Sequence, residues 1–142
     1  MTIFYYALYI ILTTQKENEM GMDVHGLKGK EQDKQAYFQN SSWNWRPLWA
    51  YCYHIADDLI SEELYKSGHY NDGAGLDADD SKKLGERLME WIANGKAMKY
   101  QEDYKKAQKS SDDKFASNYS FDVENVERFA LFCIESGGFK IC

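Results

Sequence analysis

The sequence predicts a helix-rich α+β domain in which three or four helices cover a small sheet. Three observations carry this prediction. Apolar residues recur at helical spacing in several separate stretches, two short segments far apart in the chain alternate apolar and polar as half-buried strands do, and no Pro-rich or Ser/Gly-rich linker divides them. At 142 residues, with 44% hydrophobic and 15% aromatic content, the chain can close one core, and a single domain is expected.

Taken in order, Met22-Asp-Val-His25 reads as a short strand that stops at Gly26. Lys28 to Gln35 follows as a charged loop. Pro47, the one proline of the chain, suits a helix first turn, and Leu48, Tyr51, Cys52, Ile55 and Leu59 then recur on one face. A second helix begins in the acidic stretch from Asn71 to Ser81, where Asp79, Asp80 or Ser81 can cap free N–H groups and complement the positive dipole end. Its buried face is Leu84, Leu88, Trp91 and Ile92, and Asn94-Gly95 closes it. Ala97, Tyr100, Tyr104 and Ala107 define a further helical face opposite a set of lysines. The last helix runs from about Val123 to Glu135, with Asp122 as N-cap, Val126, Phe129, Ala130 and Cys133 inward, and Gly137-Gly138 ending it. Phe139-Lys-Ile-Cys142 is a terminal strand expected to pair near Met22 to His25.

Ile3 to Leu12 stands apart as an uninterrupted apolar run, too short to cross a bilayer as a helix and without the basic flank and cleavage site of a secretory signal. It reads either as a covered β-strand or as an upstream extension of a chain starting at Met20 or Met22, the polar spacer Gln15 to Glu19 favouring the second. Residues 1–19 are therefore set apart from a globular unit at 20–142. A formal charge of −6 and a pI near 5.1 argue against direct nucleic-acid binding, which rests on clustered Lys and Arg. Three cysteines, Cys52, Cys133 and Cys142, are odd in number and far apart, so neither a disulfide framework nor a zinc knuckle is indicated. A reduced, cytoplasmic setting with no membrane contact is expected.

Enzymatic templates find little purchase. There is no GxSxG elbow, no GxxxxGK[ST] and no HExxH, and Gly73-Ala-Gly75 lacks the third glycine of a dinucleotide fingerprint. No catalytic residue is nominated and no cofactor is expected. His54 and Asp58, four apart, could share a proton or a metal, but such pairs more often form a flank salt bridge. His25 and His69 have no predictable partner. Lys96, Lys99, Lys105, Lys106 and Lys109 interleave with Tyr100 and Tyr104, yet Glu102 and Asp103 interrupt them, as on a solvated helix.

Four segments carry a resemblance: Met20-Gly-Met-Asp-Val-His-Gly26, Trp43-Asn-Trp-Arg-Pro-Leu-Trp49, Asn71-Asp-Gly-Ala-Gly-Leu-Asp-Ala-Asp-Asp80 and Ser136-Gly-Gly-Phe-Lys-Ile-Cys142. Together they resemble a family of short bacterial and bacteriophage proteins with no assigned activity, which typically begin MGMDV-x-G. Residues 1–19 fall outside the match. The acidic loop of that family often reads NDGDGLDA, and Ala74 here removes one oxygen. Some members carry a cysteine-rich insert before the last helix, which Lys105 to Asn118 lacks, so no zinc role is carried over. The resemblance implies a phage or mobile-element setting and little chemistry.

Two places are candidates for function. Asp72, Asp77, Asp79 and Asp80 could supply oxygens to a hard cation, but the EF-hand register fails, since Lys82 and Leu88 stand where its glycine and glutamate belong. The favoured reading is structural, with Gly73 and Gly75 making turns and Asp77 to Ser81 starting a helix. Trp43, Trp45 and Arg46 form the second candidate: an interface or planar-ligand anchor, or a lid on the core if an extended segment points both indoles the same way. A groove between this cluster and Asn71, Asp72 and Asp77 would take a small, polar, partly planar ligand. The expected function is that of a non-enzymatic phage-type binding protein acting on a host protein with a basic surface or on such a ligand, an anti-defence inhibitor being one form. The alternative is a small metal-assisted hydrolase or transferase using the Asn71 to Asp80 loop. A structural virion or scaffold role is a third possibility. The oligomeric state is not legible.

Overall fold

Strand β1 (Gly21–Gly26) pairs antiparallel with β2 (Tyr37–Ser41), with Gly21 opposite Ser41 and His25 opposite Tyr37. This computed structural model describes residues 21–28, 36–112 and 117–142. The apolar run Ile3 to Leu12 and most of the charged loop lie outside the described residues. On the other side of β1, the last strand carries Ile141 opposite Val24 and Lys140 opposite His25, the pairing expected from its sequence. With β3 (Ala74–Leu76) and β4 (Phe139–Ile141), the sheet order is β2-β1-β4-β3, antiparallel throughout. Neither β2 nor β3 announces itself in sequence: one is short with alternating burial, and the other sits inside the acidic loop.

Among the described residues five helices complete the helix-rich α+β fold: α1 (Ser42–Ile55), α2 (Glu62–Ser67), α3 (Ala78–Ala93), α4 (Lys96–Ser110) and α5 (Val123–Glu135). They cover one sheet face, where Met22, Val24, Phe38, Phe139 and Ile141 are buried. The residues between them, Asp23, His25, Tyr37, Gln39 and Lys140, turn to the other face, as the strand period of two requires. The core is rich in aromatics. The Trp45 and Trp49 indoles stack at 5.3 Å, and Phe129 meets Trp45 edge-on at 5.3 Å. Such ring pairs contribute roughly 0.5–1.5 kcal/mol beyond the area they bury.

Helix α1 departs from expectation at both ends. It starts at Ser42, so Pro47 lies inside it rather than in its first turn. It stops at Ile55, leaving Leu59 in the following turn, where Leu59 and Ile60 both donate N–H to the Ala56 carbonyl at 2.9 Å. Leu48, Tyr51, Cys52 and Ile55 are buried as the stripe predicts. Helices α3, α4 and α5 begin and end close to the expected residues, and Gly95 adopts φ 84° at the α3–α4 junction, a conformation that costs glycine little. Trp91 and Ile92 are only partly buried against the core.

Polar groups tie the layers together. The Asn40 and Asn125 amides donate to each other's oxygens at 3.1 and 2.8 Å, joining β2 to α5 inside the core. Ser81 lies within α3 rather than capping it, and its hydroxyl donates to the Cys133 carbonyl at 2.8 Å. Asp58 pairs with Arg87, which also donates to the Ile55 carbonyl at 3.1 Å. The expected i, i+4 partner, His54, instead lies against the Tyr100 and Trp91 rings.

Candidate functional site

The acidic loop is built by side chains that bond backbone. Beyond the end of β4, β1 runs on with no strand on that side. There the Asn71 amide takes over, its Oδ1 accepting from Asp23 N–H at 3.3 Å and its Nδ2 donating to the Gly21 carbonyl at 3.0 Å. One side chain thus satisfies two strand-edge groups that would otherwise need water. Asp72 Oδ1 accepts from Ala74 N–H at 3.2 Å, an Asx turn, and Gly73 N–H donates to the Ile141 carbonyl at 2.8 Å. Strand β3 then pairs with β4 at a distance only glycine permits, because a Cβ on Gly75 would lie 1.7 Å from the Phe139 carbonyl oxygen.

Asp77 ends the loop as the N-cap of α3, its Oδ1 accepting from Asp80 N–H at 2.8 Å. The cap is therefore Asp77 rather than Asp79, Asp80 or Ser81. Asp79 pairs with Lys83 at 2.9 Å, and Asp80 adds its charge to the same first turn. Asp72, Asp77 and Asp79 are exposed. Among the described residues no three His, Cys, Asp or Glu side chains gather closely enough to hold a metal ion.

The Trp43-Asn-Trp45-Arg46 segment is helical, which changes where its side chains go. At 3.6 residues per turn, positions two apart diverge by about 200°, so Trp43 and Trp45 cannot form one lid. Trp45 is 0% exposed, and its Nε1 donates to the Gly68 carbonyl at 2.8 Å. That withdraws it from any surface groove beside Asn71. Trp43 is half-buried and meets Tyr119 edge-on at 4.7 Å. Arg46 is 2% exposed and bonds Tyr119 through its side chain. Burial pushes the Tyr119 phenol up, and Arg46 opposes that shift. The structure thus separates the six candidate residues into an exposed turn of Asn71, Asp72 and Asp77 and an inner cluster of Trp43, Trp45 and Arg46.

Around Arg46 the fold adds a residue that sequence reasoning missed. His69 is 2% exposed, and its pKa falls to about 3 because burial disfavours the charged ring and the Arg46 charge adds to that. It follows Gly68, whose α face carries the Trp49 ring, itself bonded from Nε1 to the Tyr65 carbonyl at 3.0 Å. No local motif flags it, since the Arg46 charge that acts on it comes from α1. No protein-family model, curated protein or solved structure matches this chain.

The remaining reactive groups are muted. Burial raises the Cys52 and Cys133 thiols far above their ordinary values, which leaves little of the nucleophilic thiolate form. Cys142 is exposed, and none of the three is in a disulfide. Among the described residues no helix is long and apolar enough to cross a membrane.

Proposed function

We propose that this is a non-enzymatic, phage-type binding protein that docks through its acidic turn on a host protein with a basic surface, in the manner of an anti-defence inhibitor. The observation that supports this reading is the way the turn is built. Asn71, Gly73, β3 and the Asp77 cap hold its backbone in one conformation, while Asp72, Asp77 and Asp79 stay exposed. A preorganised surface loses little entropy on binding, and a surplus of negative charge speeds encounter with a basic partner. The net charge of −6 works in the same direction at longer range. The reduced cysteines fit work in the cytoplasm.

The test is affinity capture from a host lysate at low and high salt. Wild-type protein should retain a stoichiometric basic partner at low salt and release it as salt rises. The Asp72→Asn/Asp79→Asn variant should lose that partner while staying folded, because asparagine at 72 preserves the Asx turn and the exposed Asp79–Lys83 pair contributes little. Recovery of no partner, or equal recovery by the neutralised variant, would overturn the reading.

A further inference from the structure

The β1–β2 ladder decides which backbone groups of β2 face outward. Gly26 N–H donates to the Ala36 carbonyl at 2.8 Å, and antiparallel pairs alternate, so Phe38 and Asn40 also bond to β1. Tyr37, Gln39 and Ser41 therefore turn their N–H groups to the open edge. The same alternation holds on the other side of β1, where the Gly21 and Asp23 carbonyls accept from Asn71 and Cys142. All three edge residues are exposed, and among the described residues nothing bonds their N–H groups.

Strand β2 also lacks the usual protection of an edge. Lysine, proline, a bulge or extreme shortness ordinarily stops one edge from pairing with another. The opposite edge, β3, is three residues long. Strand β2 has five, Tyr37-Phe-Gln-Asn-Ser41, with neither charge nor proline. It is held rigid from within, because Phe38 packs on Phe129 at 5.1 Å and Asn40 exchanges hydrogen bonds with Asn125. A rigid edge loses little entropy on pairing. Apolar side chains border it. Tyr37 is 52% exposed, and Leu131, 46% exposed, lies one turn along α5 from Arg128, whose guanidinium sits 5.0 Å over the Phe38 ring.

Charge selects the occupant. The chain carries −6 overall, so two copies repel wherever their carboxylates face each other. The uncharged β2 is where they can approach without that cost. A basic peptide would find no carboxylate on β2 itself and would meet Arg128 beside it. We propose that β2 is the seam of a homodimer, pairing antiparallel with β2 of a second copy so that the two sheets become one. With Gln39 opposite its counterpart, each Gln39 N–H donates to the other Gln39 carbonyl, and each Ser41 N–H to the other Tyr37 carbonyl. The Gln39 carbonyl already accepts from Asn40 Nδ2 at 2.9 Å, and its second lone pair takes the new bond. A seam of five residues a side falls below the roughly 1,200 Å² of a standard interface, so a dissociation constant of about 10–100 μM is expected. The acidic turn lies at the far edge, beside β3, and stays uncovered in both copies, so the seam does not depend on the docking reading.

The experiment is sedimentation equilibrium of the full chain from about 1 to 500 μM, a range that brackets the expected constant, with amide hydrogen exchange at both ends of it. Monomer should give way to dimer as concentration rises. The Tyr37, Gln39 and Ser41 amides should then exchange at least about threefold more slowly than in dilute protein. Gln39→Pro removes an N–H that the monomer's own ladder leaves unused, so it should stay folded and dimerise at least about tenfold more weakly. A protein that is monomeric throughout would overturn the proposal. So would a dimer that leaves the Gln39 amide exchanging at its dilute rate, or one equally strong in Gln39→Pro. Exchange in the wild type decides the matter even if the variant fails to fold.

Discussion

The Ser120 N–H donates to the Trp43 carbonyl at 3.0 Å, and Pro47 explains why that carbonyl accepts it. Within α1 the Trp43 oxygen would ordinarily receive the N–H of the residue four positions on, but proline has none. The segment after α4 fills the gap. Its Tyr119 carbonyl is in turn held by the Tyr104 hydroxyl at 3.2 Å and by Gln108. A break in one helix thus becomes the anchor for the chain leading into α5.

Restoring the missing donor should release that anchor. In Pro47→Ala the residue 47 N–H competes for the Trp43 oxygen, and the Ser120 amide should exchange with deuterium about tenfold faster, equivalent to about 1.4 kcal/mol. Unaltered exchange at Ser120 would show that the proline and the tether are unconnected.

Gly68 should tolerate no side chain. A Cβ there would sit 2.3 Å from Trp49 Nε1, so Gly68→Ala must push the indole off its bond to Tyr65. A loss of about 1–3 kcal/mol in urea denaturation is expected, as for other overpacked cores. The near-ultraviolet dichroism of the stacked Trp45 and Trp49 should change with it.

Stability should fall in mild acid through His69. Its folded pKa lies near 3 against an ordinary value of 6.5, so between these values the unfolded chain takes up a proton that the folded chain refuses. Stability is complete above about pH 6.5 and declines as pH drops towards 3. Between pH 7 and 4.5 the wild type should lose about 2–3 kcal/mol more than His69→Phe, by the same linkage. Urea titrations measure the difference. Arg46, Tyr65 and Tyr119 are common to both proteins, and their contributions should largely cancel.

Asp77 should behave as a cap and not as a cation ligand. Asp77→Ala should cost about 0.5–2 kcal/mol, whereas Asp77→Asn, which keeps the acceptor for Asp80 N–H, should cost a few tenths. Adding Ca²⁺ or removing it with EDTA should leave the Tm of wild type and of both variants unchanged. A Ca²⁺-dependent rise lost in Asp77→Asn would contradict this.

Much of the helical architecture is legible in sequence because its causes are local. Asp122 and Asn94-Gly95 act on neighbouring backbone, and Ala97, Tyr100, Tyr104 and Ala107 turn inward by periodicity alone. The start of α1 is misread because its rescue comes from Ser120, far along the chain. Strand β3 hides because Ala74-Gly-Leu76 has no β-branched residue and is a strand only by pairing with β4. In the candidate site the turn made by Asp72 and the cap made by Asp77 follow from their neighbours. That the Arg46 charge acts on His69 depends on how α1 packs against the end of α2, which no spacing rule encodes.

Strand β4 sits between β1 and β3 although the ribosome makes it after both. During synthesis the β1–β2 hairpin can form early, but β3 has no strand to join until residues 139–141 emerge. A nascent chain halted before residues 123–135 emerge would display the apolar faces of Met22, Val24 and Phe38 without α5 to cover them, a surface that chaperones engage. The order of translation, and not only the final energy, therefore decides when this domain becomes safe from aggregation.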